Sequence, residues 1–148
     1  DGDGLDDFDD EDCQYPENGT IVTVQGEYVE WYSLAELKNT TVTTTGTQAA
    51  IDPLLITDVC SVVTNGEPLE SMYVRVENVT VTNDNPDAPE DYDEFEVEGC
   101  LRVDNQICAD CWPDQPAVGT AYSEITGVLT YSFGNYKLLP VSPSDLVE

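Results

Sequence analysis

The run Asp1-Gly2-Asp3-Gly4-Leu5-Asp6-Asp7-Phe8-Asp9-Asp10 spaces its carboxylates as a hard divalent cation requires. Calcium takes about six to eight oxygen ligands, and EF-type loops supply them from positions 1, 3, 5, 7, 9 and 12, with glycine at 6 for the sharp turn. With Gly4 at the glycine position, Asp1 and Asp3 fall at the second and third ligand positions. Leu5 then offers its backbone carbonyl, and Asp7 and Asp10 take the last two places. The first ligand falls before Asp1, to be supplied by residues trimmed away, by water or by a neighbouring chain. The register that starts at Asp1 puts Asp6 where glycine is needed, so it is rejected. The expected cofactor is Ca2+, held by Asp1, Asp3, Leu5, Asp7 and Asp10. The competing reading is a solvated acidic tail.

Cysteine is the second chemistry-bearing residue: Cys13, Cys60, Cys100, Cys108 and Cys111. Cys108-Ala-Asp-Cys111 is a CxxC pair, but no second CxxC accompanies it to complete a zinc array. Trp112-Pro113 follows it where a thioredoxin-type site would open a helix in a βαβ unit. Structural disulfides of an oxidising compartment are the favoured reading. Five thiols allow two bridges and leave one that is free or joined to another chain, and the spacing does not choose the pairing. Asn18-Gly-Thr20, Asn39-Thr-Thr41 and Asn78-Val-Thr80 are glycosylation sequons, which make Asn18, Asn39 and Asn78 candidate sites on a secreted chain.

Composition removes several activities. Among 148 residues there are 31 Asp and Glu, 4 Lys and Arg and no His, a net charge of −27. Without histidine there is no Ser–His–Asp triad, no Cys–His pair and no His-ligated zinc or haem. Four cations cannot neutralise a phosphate backbone, so electrostatic nucleic-acid binding is disfavoured. No apolar run reaches the roughly 18 residues of a membrane span. No signal peptide opens the sequence, and the Asp1-Gly2-Asp3-Gly4 start is expected of a processed or excised product. Acidic residues abound, yet no spacing singles out the two carboxylates of a glycoside hydrolase. The expected class is non-enzymatic.

The acid is concentrated in residues 1–12 and 84–98. Like charges this dense repel over about 8–10 Å and call for counter-cations, salt or extended chain. The bland reading of the second cluster is solubility. At 40% apolar and 9% aromatic, the chain as a whole has the means to form a core, unlike a disordered acidic chain.

The elements that would position these groups are almost all strands. Residues 1–19 read as an acidic, calcium-binding N-terminal segment and 20–148 as a β domain. Thr20–Trp31 alternates Ile21, Thr23 and Gln25 against Val22 and Val24, with a bend expected at Gly26. Ser33–Lys38 is the one expected helical turn, with Ser33 as cap, Glu36 three residues on, and Leu34 and Leu37 on one face. Thr40–Thr47 is strand-like, its β-branched residues suiting a pleated surface. Residues 48–70 read as a crossover with one short strand. Met72–Thr82 alternates cleanly until a phase change near Asn78. Phe95–Val103 alternates again, and Ile125–Phe133 and Tyr136–Leu139 form a last pair around Ser132-Phe133-Gly134-Asn135, before Pro140 and Pro143 end the pairing. The fold class expected is all-β, a small OB-like barrel or sandwich of five to six strands.

Two resemblances refine this. The DGDGxxDxxD spacing of residues 1–10 resembles the calcium loops of thrombospondin type 3 repeats, which implies a calcium site and nothing of the parent function. Glu70–Thr82 (ESMYVRVENVTVT) and Ile125–Pro140 (ITGVLTYSFGNYKLLP), the latter followed by Val141 and then Ser142-Pro-Ser-Asp145, resemble OB-fold-type accessory modules of large secreted bacterial proteins. That likeness implies a secreted, non-catalytic β-barrel. Rings for stacking a base or sugar are sought in Tyr28, Trp31, Tyr32, Tyr131, Phe133 and Tyr136, with Arg75, Arg102 and Lys137 nearby. The plainer reading of each is core packing, a cross-strand pair, or a cation matched to surplus acid.

Three functional classes follow. The first expectation is a self-assembling structural subunit of a calcium-stabilised extracellular filament or surface layer, its partners copies of itself. The alternative is an accessory domain for polysaccharide or single-stranded nucleic acid, attached to a secreted nuclease or other hydrolase. Nothing in the residues points to the third, an enzyme. The expected location is extracellular or the cell surface.

Overall fold

A computed structural model describes residues 19–148, which form two units. The calcium-loop residues, Cys13 and Asn18 lie outside the described residues.

The first unit consists of residues 19–28 and 37–51. It contains most of two long strands, β1 (Thr20–Trp31) and β2 (Leu34–Thr47), which pair with each other as a two-stranded sheet. β-branched threonine and valine favour the extended backbone. The partner strand lies close to Gly26: a Cβ there would stand 3.0 Å from the Lys38 carbonyl oxygen. On the other strand Asn39 is left-handed, with φ 51°.

Residues 29–36 belong to the second unit, with 52–148. Here one expectation is corrected. Ser33–Lys38 forms no helical turn: Tyr32 and Ser33 are both left-handed (φ 49° and 68°), and β2 starts at Leu34. Six residues cannot meet the cost of nucleating a helix unaided, and two left-handed residues make the turn whose twist matches a hairpin.

The short helix sits elsewhere, at α1 (Ser61–Asn65), inside the expected crossover 48–70. That crossover also holds the expected short strand, β3 (Leu54–Leu55), and a 3-10 turn at Glu67–Leu69. The remaining strands are β4 (Tyr73–Asn83), β5 (Phe95–Val97), β6 (Leu101–Val103), β7 (Ala121–Ser132), β8 (Asn135–Leu139) and β9 (Leu146–Val147). Five of them close a barrel in the order β4-β5-β6-β8-β7 and back to β4. All the pairings around the ring are antiparallel except β6–β8, which is parallel. β3 adds to β4, and β9 to β7. The all-β barrel class is as expected, with more strands than the five to six read from the pattern.

The single strand expected over Phe95–Val103 is a hairpin. Glu98 and Gly99 turn the chain with φ 52° and 69°. The alternation survived the turn because residues paired across it, Phe95↔Val103 and Val97↔Leu101, share a face. All four are buried, at 0–1% exposure. In β4 the buried set passes from Val74 and Val76 to Val79 and Val81 across Asn78, whose φ is 54°. The phase change read from the sequence is therefore a left-handed residue within the strand. Phe95 packs edge-on against Trp112 at 4.9 Å and stacks at 6.0 Å on Tyr122. Burying each such side chain stabilises the fold by roughly 1.5–3 kcal/mol.

Two disulfides staple this unit, Cys60–Cys100 and Cys108–Cys111. The first ties the start of α1 to the β5–β6 turn. Pairing does not end at Pro140 and Pro143 as expected: a 3-10 turn (Pro143–Asp145) leads into β9, which pairs with β7. No helix among the described residues is long and apolar enough to cross a membrane.

Candidate functional site

The acidic loop between β4 and β5 folds around its own short side chains. Asn83, Asn85 and Asp91 each accept a hydrogen bond from the backbone N–H two residues on, at 3.1–3.2 Å. These are Asx turns, the local geometry for which Asn and Asp are suited. Gln115 clamps the loop by donating to the carbonyls of Asp84 (2.8 Å) and Glu94 (2.7 Å). Asp87 and Glu94 are thereby brought over the outer face of the barrel.

That face carries two adjacent cations. The parallel β6–β8 register sets Arg102 beside Lys137, while their neighbours Val103 and Leu138 point into the core. Like charges side by side are tolerable only with anions between them. Glu94 lies there, accepting from Arg102 Nη1 through Oε2 at 3.1 Å and from Lys137 Nζ through Oε1. Arg102 also donates to both Asp87 oxygens (2.8 and 2.9 Å), and Lys137 to Asp104 Oδ2 (3.1 Å). Lys137, Glu94 and Asp104 are 3%, 4% and 7% exposed. Burial works against the Arg102 charge, but the hydrogen bonds and charges of Asp87 and Glu94 outweigh it, and its pKa lies above the ordinary value.

A cavity of about 510 Å³ opens over this network. It is lined by Asp87, Tyr92 and Glu94 from the loop, Arg102 and Asp104–Gln106 at the end of β6, Ser132 and Phe133 from the β7–β8 turn, and Lys137. Phe133 is 96% exposed, held at φ 50° in that turn, with its ring centroid 5.8 Å from Lys137 Nζ. Three carboxylates against two cations leave the rim net negative. What the site offers a ligand is ring surface and carboxylate and amide acceptors; the ammonium and guanidinium groups are already engaged.

Of the six rings expected to stack on a ligand, Phe133 alone lines the cavity. Tyr131 and Tyr136 are cross-strand partners with ring centroids 4.8 Å apart. Trp31 and Tyr32 stand edge to face at 5.1 Å beside the hairpin turn, and Tyr28 lies exposed on β1. The third cation, Arg75, bridges Glu77 (3.0 Å) and Glu124 (2.9 Å), acids that the β4–β7 register sets directly opposite. Arg75, Arg102 and Lys137 are each matched to surplus acid, as the plainer reading had it.

Sequence reasoning did not single out Tyr92, Glu94, Asp104, Asn105 and Gln106. The usable signal was Lys137, a charge enclosed by apolar strand residues. Asn39 and Asn78 are exposed and left-handed. Among the described residues no group of three or more His, Cys, Asp or Glu is arranged to hold a metal ion. No family model matches the chain, and comparison with curated proteins and with solved structures gave no match.

Proposed function

We propose that the chain is a non-catalytic structural module of a secreted bacterial protein, assembling with copies of itself into a calcium-stabilised extracellular filament or surface layer. The observation that carries this reading is the β1–β2 sheet, in which no residue of either strand is buried. Two strands alone are marginal in water and gain stability from a third strand or a packed face. A long sheet with open edges is also a template for pairing with another chain. The two disulfides fit an oxidising compartment, and the barrel's strand order fits an OB-type accessory module.

The test is light scattering and electron microscopy of the full chain in millimolar Ca2+ and in chelator. Particles that grow with Ca2+ and fall apart in chelator are expected; a monomer under both conditions refutes the proposal. For the leader, Asp3→Ala and Asp10→Ala should each remove most of the protection that Ca2+ gives the first 15 or so residues against proteolysis. Cleavage that is the same with Ca2+ and with chelator would end the calcium assignment.

The cavity favours a second reading, an accessory domain that binds polysaccharide. An exposed ring beside carboxylate and amide acceptors suits a sugar. A polyanionic nucleic acid would meet a net-negative rim whose cations are engaged. Calorimetric titration with neutral oligosaccharides should show binding that Phe133→Ala weakens at least about fivefold, taking the roughly 1–3 kcal/mol that a base gains on an aromatic ring as the scale for a stacked sugar. Absence of heat with the unmodified protein counts against this reading.

A further inference from the structure

In a chain of net charge −27, the segments 19–26 and 39–51 contain no charged residue. The longest neutral run elsewhere, 125–136, lies in the barrel, where its apolar side chains include the buried Ile125 and Leu129. The hairpin runs are instead on the surface. Ile21 (41% exposed) and Val24 (42%) have opposite parity in β1, so both faces of the sheet carry exposed apolar groups, and Val42 (50%) adds another from β2. β2 has β1 as its only strand partner among the described residues. Natural edge strands are guarded by lysine, proline or inward charge; Thr40–Thr47 has none of these.

From this we infer that the copy-to-copy contact is made by the neutral part of the hairpin, with Thr40–Thr47 of one chain pairing antiparallel with the same strand of a second copy. The inference rests on the self-assembly proposed above and names its surface. Electrostatics selects the partner. Two copies of so acidic a chain repel over most approaches, and this neutral, unguarded, β-branched edge lets them meet without opposing like charges. An antiparallel pair of identical strands is related by a two-fold axis, so the contact is isologous. It turns two marginal two-stranded sheets into one of four strands.

The full chain is to be compared with Thr41→Glu/Thr43→Glu and with Val118→Glu, a control at an exposed barrel-unit position. Sedimentation velocity is run over a concentration series in millimolar Ca2+, with far-UV circular dichroism to confirm folding. In the two-fold pair, residues near position 43 of both strands face each other, and like charges directly opposite destabilise a sheet. The hairpin variant should therefore associate at least about tenfold more weakly, and Val118→Glu as the unmodified chain does. Amide exchange should show Thr40–Thr47 protected in proportion to protein concentration.

If the hairpin variant associates like the unmodified chain, the surface is wrong while self-assembly stands. If the unmodified chain stays monomeric throughout, the assembly reading itself falls. Protection of Thr40–Thr47 that is independent of concentration would mean that the chain's own residues 1–18 cover the edge, and would overturn the contact between copies.

Discussion

Replacing Lys137 with methionine keeps the unbranched stem of the side chain as far as Cε and removes the ammonium from beneath the acidic loop. Two carboxylates then lose their shared donor in a place water hardly reaches, because Glu94 and Asp104 are 4% and 7% exposed. Glu94 keeps Arg102, and Asp104 keeps the backbone N–H of Gln106 at 2.9 Å, so neither is wholly unpartnered. Breaking a buried ion pair from one side costs about 3–5 kcal/mol, because the remaining charge stays desolvated. In a unit of this size that lowers the melting temperature by about 12–20 °C. Arg75 is the internal control. It also bridges two acids, but with side chains 34–36% exposed, so Arg75→Met should cost only about 0.2–1 kcal/mol.

Urea melts of Lys137→Met, Glu94→Gln, the double variant and Arg75→Met measure the contrast. The double variant should be less destabilised than the sum of its parts, with a coupling of about 1–3 kcal/mol, because the second change removes one of the charges that the first left stranded. A Lys137→Met cost no larger than that of Arg75→Met, or strict additivity, would refute the picture of a coupled buried network.

Three further outcomes are expected. Removing the Cys60–Cys100 bridge as the double alanine variant should cost about 4 kcal/mol, from the chain entropy of the loop it closes, whose ends lie 40 residues apart; a loss under about 1 kcal/mol in denaturant melts would contradict that. Gly127→Ala should cost about 1–3 kcal/mol by thermal melting, since a Cβ there would stand 2.4 Å from the Leu139 carbonyl oxygen; an unchanged melt would show that β7 and β8 separate readily. Burial first, then the charge of Glu148, raises the Tyr122 phenol above its ordinary value of 10.0. Below that value both states hold the proton and its contribution to stability is complete; as pH climbs toward the raised native value the unfolded state ionises first and stability falls. Melts between about pH 9 and 12 should show this decline, and Tyr122→Phe should make it shallower, the raised phenols of Tyr73 and Tyr136 supplying the rest.

What the sequence disclosed follows from the range of the forces involved. The valines of β4 were legible because a half-buried strand repeats every two residues, and the break at Asn78 showed as a slip in that repeat. The turn at Phe133-Gly134 was legible from Gly134, which fits left-handed backbone, and from the Ser132 and Asn135 that flank the pair. Ser33–Lys38 misled because Ser33, Glu36, Leu34 and Leu37 meet the local rules of a helix start, and those rules do not register the strands on either side. The buried network was out of reach for a different reason. Arg102 and Lys137 become neighbours only when β6 and β8 pair in parallel across 35 residues of chain, and no local pattern encodes that register. Disulfide partners are hidden in the same way: Cys60 and Cys100 meet because α1 and the β5–β6 turn do.

The distribution of charge links these observations. Arg75, Arg102 and Lys137 each bridge two carboxylates within the barrel unit. Those cations serve to hold strands and the 84–94 loop in place, and they do little to lower the net charge of −27. The remaining acid therefore acts outward. At physiological ionic strength it repels over about 8 Å, which disfavours approach wherever carboxylates face one another and leaves the neutral part of the hairpin, residues 19–26 and 39–51, as the approach of least repulsion. In the proposed assembly, divalent ions and the hairpin would have separate roles: the ion would reduce a penalty spread over the whole surface, and the hairpin would supply the directed contact. A neutral edge without screening would face the long-range repulsion of two strongly charged bodies, and screening without a neutral edge would leave acidic surfaces with no preferred register. The proposed assembly therefore calls for both at neutral pH.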